Sequence, residues 1–422
     1  MKIALVQHNP IPGDVRGNCE QLRGLIDGAA KQGATIILCP EMATTGYLIR
    51  DLIYRRTLLE TNLRYVNEIA AYTTHLPGVT LVLGYVDYNY SGTGKPFRNM
   101  AAVMRNGAVV ATYQKRLLPF YDVFDEGRYF EPGHELCVVE IDETKFGLLI
   151  CEDGWSADKG ETSTYYDSNP VDEYKALGIH NFLWLNASPY VRHKINKRMG
   201  MAMKLSRDGV VAYCNMIGGQ DSLVFDGSGF VYSHYEMRGR VKDQTQPSFA
   251  VVDPRRDHAL DDIPTDDFRR MIVMGTRDYA RKCGFTDIVI PSSGGIDSAV
   301  VLSIACEAFG PEHVTGIRLP TKNSSQGSLD DALALHQNWG CKDFVVGIDH
   351  EPLLAKMNEA FGFDPKSTQY APVADENVQP RLRALTAMHY SNVTGALLLT
   401  TGNKTELATG FNTYGGDSVG GF

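Results

Sequence analysis

The chain has 422 residues, enough for two or three domains of ordinary size. Its formal net charge of −9 excludes a nucleic-acid binder that works by neutralising many phosphates, but not a single nucleotide held by backbone N–H groups. Neither a signal peptide nor a run of ~18 uncharged apolar residues is present, so no membrane partner is expected and the cytoplasm is the expected location.

In chain order, short apolar runs predict strands over 3–7, 35–39, 79–86, 108–113, 146–150, 181–185, 210–214 and 249–252. Several are apolar at successive positions, which fits sheets covered on both faces. Between the first two, residues 18–31 place Leu22, Leu25, Ile26, Ala29 and Ala30 on one helical face. A polar, aperiodic stretch over 253–267, with Pro254 and Pro264, reads as a linker between a first domain (1–252) and a second (268–422). A long surface loop is the alternative. The second half runs helix 268–284, strand 287–291, a Ser/Gly loop and helix 298–309. Strands follow over 314–319, 344–348 and 396–400. This α/β rhythm is that of a doubly wound parallel sheet. None of the eight cysteines forms a C-x₂-C pair, so most are expected to be buried, reduced thiols and no zinc site is expected.

Three strand ends carry chemistry. Cys151 follows Phe146-Gly147-Leu148-Leu149-Ile150, Glu41 follows Ile36-Ile37-Leu38-Cys39-Pro40, and Lys115 follows Ala111-Thr112-Tyr113-Gln114. Taken singly, each has an ordinary reading: a core thiol, a solvated carboxylate, a solvated amine. Together, with Phe124-Asp125-Glu126-Gly127-Arg128, Asn186-Ala187-Ser188-Pro189-Tyr190 and Gly218-Gly219-Gln220-Asp221, they resemble the nitrilase, or carbon–nitrogen hydrolase, superfamily over about 1–250. That resemblance implies a four-layer αββα sandwich and a Glu41–Lys115–Cys151 triad. A thiolate attacks an amide carbon, a carboxylate takes the thiol proton, and an ammonium stabilises the oxyanion. Glutamine-specific members of the superfamily imply Tyr121, Ser188 and Lys194 as contacts to the amino-acid head, with Arg192 and Arg198 as alternatives to Lys194.

The segment Ser292-Ser293-Gly294-Gly295-Ile296-Asp297-Ser298, between a strand and a helix, suits an anion: glycines let backbone approach, hydroxyls donate, and the helix start adds N–H groups. It lacks Walker spacing. The alternative is a Gly-rich turn without a ligand. The pattern resembles the pyrophosphate loop of the ATP-pyrophosphatase superfamily. Its flanks, Glu376-Asn377-Val378-Gln379-Pro380-Arg381 and Leu399-Thr400-Thr401-Gly402-Asn403-Lys404-Thr405-Glu406, narrow the likeness to NAD⁺ synthetases. Joined to a nitrilase domain, they point to the glutamine-dependent group. The resemblance implies that residues 292–298 and Thr401 contact ATP, that Asn377 and Arg381 contact deamido-NAD⁺, and that Asp297 and Glu406 hold Mg²⁺. Arg381 as a helix-surface charge and Glu406 as a residue favoured by a helix N-terminus are the plainer readings. Pro380 stands where that family carries a small residue.

The implied partners are L-glutamine, ATP and deamido-NAD⁺, and the implied assembly is a homo-oligomer. Because the family's chains continue beyond the position of Phe422, the synthetase half is expected to be incomplete and the glutaminase half complete. The rival readings are an amidase with a degenerate or incomplete synthetase half, a non-catalytic nucleotide-binding module, and another glutamine-fed adenylating synthetase.

Overall fold

The computed structural model describes residues 1–156, 166–242, 244–256, 267–416 and 418–422. Most of the stretch read as a linker, 257–266, lies outside them, as does Asp417. The chain divides into two compact units, Met1–Met271 and Ile272–Phe422.

The first unit is built on fourteen named strands: β1 (Ile3–Gln7), β2 (Ile36–Leu38), β3 (Thr80–Tyr88), β4 (Phe97–Arg105), β5 (Ala108–Gln114), β6 (Val138–Ile141), β7 (Thr144–Ile150), β8 (Asn181–Asn186), β9 (Val210–Asn215), β10 (Ile217–Gln220), β11 (Leu223–Asp226), β12 (Phe230–Ser233), β13 (Glu236–Arg240) and β14 (Ser248–Val252). Two six-stranded sheets result, in the orders β14-β1-β2-β3-β4-β5 and β13-β12-β9-β8-β7-β6, with β10 and β11 as a separate hairpin. Neighbours β1, β2 and β3 run parallel, as do β7, β8 and β9.

Side-chain alternation sorts these strands into layers. Ile3, Leu5, Ile36 and Leu38 of one sheet pack with Leu148, Ile150, Leu183 and Leu185 of the other, forming the core between the sheets. Their odd–even partners Ala4, Val6 and Ile37 turn outward onto helices α1 (Val15–Lys31) and α2 (Arg56–Tyr72), through Leu22, Ile26, Val66 and Ile69. On the far side Leu149, Phe182 and Trp184 meet helices α4 (Pro170–Ala176) and α5 (Lys194–Leu205), which follow the single turn α3 (Glu152–Trp155). The successive apolar residues noted in the sequence are thus buried on both faces, and the αββα sandwich stands.

Helix α6 (Phe268–Lys282) begins within the first unit's bounds and continues into the second, which carries helices α7 (Ile296–Phe309), α8 (Gln326–Trp339), α9 (Glu351–Phe361), α10 (Val373–Glu376), α11 (Val378–Thr394) and α12 (Lys404–Thr409). Its strands are β15 (Ile288–Pro291), β16 (Val314–Arg318), β17 (Lys342–Val345) and β18 (Leu397–Leu398), all parallel, in the order β17-β16-β15-β18. One face, Ile288 and Ile290, packs on Leu302 and Ala305 of α7; the other, Val289 and Leu398, packs on Ala387 of α11. The strand order reverses direction between β15 and β18, and the loops after them diverge. A doubly wound sheet opens its ligand crevice at such a point. Among the described residues, no helix is long and apolar enough to cross a membrane.

Candidate active sites

Glu41 lies just beyond β2, where the chain turns under β3. Cys39 N donates to Val82 O at 2.9 Å and Ala43 N to Gly84 O at 2.9 Å, so β3 backbone holds the turn from both ends. The approach at Gly84 is close enough that an added Cβ would sit 2.3 Å from Pro40 O and 2.7 Å from Glu41 Cα. Glu41 itself is fully buried. Its Oε1 accepts from Asn99 Nδ2 at 2.8 Å and from Lys115 Nζ at 2.7 Å, and its Oε2 accepts from Ala187 N at 2.9 Å.

Lys115 follows β5 and is also fully buried. Its ammonium bridges two carboxylates, Glu41 and Glu126, each at 2.7 Å. Burial alone would lower its pKa, but the Glu126 and Glu41 charges overturn that and hold it well above the usual lysine value. Glu126 in turn accepts from the Tyr47 hydroxyl at 2.6 Å. Burial pushes the Glu126 acid up, against the pull of Lys115.

Cys151 ends β7 in a sharp turn, with φ 44° and ψ −98°, a strained conformation for a residue with a Cβ. Its N–H donates to Leu185 O at 2.7 Å and its carbonyl accepts from the Trp184 indole at 2.9 Å, which fixes the turn on both sides. The thiol is buried. Burial raises its pKa well above the usual range, the Glu41 charge adds to this, and Lys115 opposes it. The fold therefore brings together all three residues of the triad read from the sequence.

The acceptor count decides what this cluster can do. An ammonium has three protons, and two are committed here to Glu41 and Glu126. One is left for a developing oxyanion or a thiolate. Glu41 Oε2 receives one donor among the described residues, so it keeps a lone pair for the thiol proton.

Around this cluster lie the residues assigned to the substrate head. The Tyr121 hydroxyl donates to Glu152, which follows the nucleophile, at 2.9 and 3.1 Å, and Tyr166 adds a bond at 3.3 Å. Lys194 opens α5 with its Nζ 5.8 Å from both the Phe124 and the Trp155 ring centroids. Burial, then Arg198, lower its pKa to about 8, while Cys151, Asp226 and Glu152 oppose the shift, so the amine faces the thiol cluster. Ser188 is buried, with its N–H on Asn215 and its Oγ receiving Arg198 Nε at 3.2 Å. Arg198, an alternative to Lys194 in the sequence, is committed elsewhere. Fully buried, it binds Asp226 at 2.6 Å and the carbonyls of Ser188 and Pro189. Arg192 is exposed.

In the second unit a cleft of about 470 Å³ lies over the C-terminal ends of β15, β16 and β18. Ser292, Ser293 and Thr401 line it, three of the residues assigned to ATP. The hydroxyls of Ser293 and Ser298 stitch the loop to itself: Gly295 N donates to Ser293 Oγ at 3.2 Å and Ser298 Oγ to Gly295 O at 3.0 Å. Gly294 sits at φ +80°, where an added Cβ would also meet Ser328 O at 2.2 Å. Ser292 Oγ is buried and has no hydrogen-bond partner among the described residues, so it is available to a ligand. Ile296 and Asp297 are exposed on the first turn of α7.

The other assigned residues sit as follows. Arg381 is exposed and its Nε donates to Tyr414 O at 3.1 Å, while Asn377 Oδ1 accepts from the Thr413 hydroxyl at 2.7 Å. Both hold the 413–414 segment, and neither lines the cleft; Arg383 does. Glu406 forms a capping box with Asn403, with its Oε2 accepting Asn403 N at 3.0 Å. Among the described residues, no three His, Cys, Asp or Glu side chains converge on one metal-sized site. Asp297 and Glu406 nonetheless offer hard oxygen donors beyond the ends of neighbouring strands. That fits Mg²⁺, which takes one or two carboxylates and completes its shell with water and phosphate.

Sequence reasoning gave no role to Glu126, Asn99 or Tyr47 in the first site, nor to Asn323, Ser324, Ser325, Ser328 and Arg383 in the second. The 323–328 group had a usable signal, because loops after the C-terminal ends of parallel strands face the crevice.

Comparison with known proteins agrees with both halves. The family model for carbon–nitrogen hydrolases matches residues 2–159, and that for NAD synthases matches residues 269–422. The chain is 34% identical to the glutamine-dependent NAD(+) synthetase of Thermotoga maritima, covering 100% of this chain and 77% of that protein. It is 36% identical to the enzyme of the same description from Acinetobacter baylyi, covering 100% and 76%. It superposes with a TM-score of 0.88 on the glutamine-dependent NAD+ synthetase of Acinetobacter baumannii in complex with ADP, at 32% identity, covering 100% of this chain and 78% of that one.

Proposed function

The chain belongs to the glutamine-dependent NAD(+) synthetases, and from that premise we propose how its two units divide the reaction. In the first, Cys151 attacks the side-chain amide of glutamine. Glu41 takes the thiol proton on its free Oε2 lone pair, and the third proton of Lys115 meets the oxyanion. Glu41 returns that proton to the leaving nitrogen, so collapse releases ammonia and leaves a thioester, and the carboxylate so regenerated activates the water that hydrolyses it to glutamate. Glu126 keeps Lys115 charged while Glu41 changes protonation state. Tyr121, Ser188 and Lys194 receive the amino-acid head, with Lys194 as the cation for its carboxylate.

In the second unit, the nicotinate carboxylate of deamido-NAD⁺ attacks the α-phosphate of ATP and pyrophosphate leaves. Ammonia then displaces AMP to give NAD⁺. The 292–298 loop, with the Ser292 hydroxyl and the N–H groups at the start of α7, holds the phosphates, and Thr401 closes the cleft from β18. Asn377 and Arg381 support deamido-NAD⁺ through the 413–414 segment, and Arg383, a cation among the residues that line the cleft, meets the phosphates. Asp297 and Glu406 would hold Mg²⁺, which would supply charge neutralisation at the phosphates.

The observation that carries this reading is the buried ammonium shared by two carboxylates beside a strained cysteine. It is tested by Cys151→Ala. The variant is expected to lose glutamine hydrolysis and labelling by a glutamine-like electrophile; wild-type hydrolysis by it would refute the assignment. Incubation of the chain with ATP, deamido-NAD⁺ and ammonium tests the second half through AMP and NAD⁺ formation, and separates this reading from an amidase with a silent synthetase half.

A further inference from the structure

Asp153, two residues past the nucleophile, is fully buried and has no part in the chemistry above. Its Oδ1 accepts the N–H of Arg116 at 3.1 Å and of Leu117 at 2.9 Å, the two residues that follow Lys115. Its Oδ2 accepts the N–H of Ile150 at 3.0 Å, the residue before Cys151, and the hydroxyl of Tyr113 at 2.9 Å, two residues before Lys115. Lys115 follows β5, an edge strand of one sheet, and Cys151 follows β7 of the other. Backbone ladders join strands only within a sheet, so none spans these two ends, which share the core between the sheets. One carboxylate with four donors bonds to both ends.

We propose that Asp153 is a positioning residue of the glutaminase: by pinning the end of β5 to the end of β7 across the sandwich, it fixes the Lys115 ammonium relative to the Cys151 sulfur. The inference rests on the assignment of Cys151 and Lys115 given above. The job needs a carboxylate, because all four partners are donors and only an ionised acid offers acceptors alone. An amide in its place would keep the Arg116 and Leu117 bonds through its oxygen and turn an NH₂ group toward the Ile150 N–H.

The titratable and charged groups facing Asp153 among the described residues are Tyr113 on β5, Lys115 and Arg116 on the segment after it, and Tyr174 on α4. Burial raises the Asp153 acid to about 6, against the pull of the Leu117 and Ile150 N–H groups, Lys115 and Tyr113. As pH falls through that value, one oxygen takes a proton and turns from acceptor to donor among four donors, and the pinning loosens. The acid limb of glutamine turnover should therefore report this group.

The experiment measures kcat and KM for glutamine hydrolysis by the full chain across the pH range, for wild type, Asp153→Asn, Tyr113→Phe and Cys151→Ala. Asp153→Asn is expected to lose about 10²-fold in kcat with KM changed less than about threefold, as for a misplacement near 1 Å. Tyr113→Phe is expected to keep its plateau kcat within about threefold and to move the acid limb to higher pH, because the ionised carboxylate loses a donor. Asp153→Asn turning over within about threefold of wild type would overturn the proposal. So would a Tyr113→Phe acid limb that coincides with wild type, and that profile alone decides if Asp153→Asn fails to fold. Activity in Cys151→Ala would instead remove the nucleophile assignment, so the two failures are distinguishable.

Discussion

Gly84 is where a single methyl group should disarm the glutaminase. A Cβ there would stand 2.3 Å from the carbonyl oxygen of Pro40 and 2.7 Å from Glu41 Cα, where ordinary contact begins at 3.4 Å. Both opposing atoms are backbone, so no side chain can swing aside and the turn must retreat by about 1 Å. Glu41 Cα is part of that turn. Its carboxylate then leaves Asn99, Lys115 and the Ala187 N–H, all placed at 2.7–2.9 Å. A shift of that size at a catalytic group costs about 10²-fold in rate, and overpacking costs about 1–3 kcal/mol in stability. Gly84→Ala should thus fold, unfold at lower denaturant, and hydrolyse glutamine about 10²-fold more slowly. The assays are ammonia release at saturating glutamine and urea unfolding followed by circular dichroism. Turnover by the Gly84→Ala variant within about threefold of wild type would refute the claim that the backbone of β3 sets the position of Glu41.

Three further outcomes are expected. Arg198→Ala leaves buried Asp226 and the Pro189 carbonyl without the guanidinium, while the Ser188 carbonyl keeps Asn215 Nδ2, so it should cost about 3–5 kcal/mol of stability, read by denaturant unfolding; a loss below about 1 kcal/mol would show that water replaces the guanidinium. KM for glutamine should rise as pH climbs past about 8, because a lysine with a lowered pKa sheds its proton there and no longer attracts a carboxylate; Lys194→Arg should flatten that rise, and a wild-type KM that stays level would exclude Lys194 as the carboxylate contact. Gly294→Ala combines a left-handed backbone with a clash on Ser328 O and should weaken ATP binding about tenfold or more, measured by calorimetry, with glutamine hydrolysis unchanged; unaltered ATP affinity would remove this loop from the nucleotide site.

How much of this was legible depended on periodicity. The long inner strands β1, β7, β8 and β9 announce themselves as apolar runs because both faces are covered, and Glu41, Lys115 and Cys151 are legible as the polar residues where such runs stop. Glu126 was not. It sits in a loop of mixed polar and aromatic residues, Phe124 to Phe130, where no period exists, and only its bond to Lys115 reveals it. The short strands β10 to β13 escaped for a related reason: Ile217-Gly218-Gly219-Gln220 and Glu236–Arg240 carry no alternation. The strand expected over 344–348 lies at Lys342–Val345. Its apolar residues Phe344, Val345 and Val346 are exposed at a sheet edge, so apolarity marked the segment without marking its register. Arg381 and Arg383 illustrate the same limit, since two residues of helix separate a side chain that props a loop from one that lines the cleft.

The capping box at the start of α12 has a consequence for any ion that reaches the crevice. One oxygen of Glu406 already accepts from Asn403 N at the first helical turn, which leaves the other with both lone pairs uncommitted among the described residues. A substitution by glutamine would keep a single carbonyl oxygen, which the helix start and the ion would then have to share.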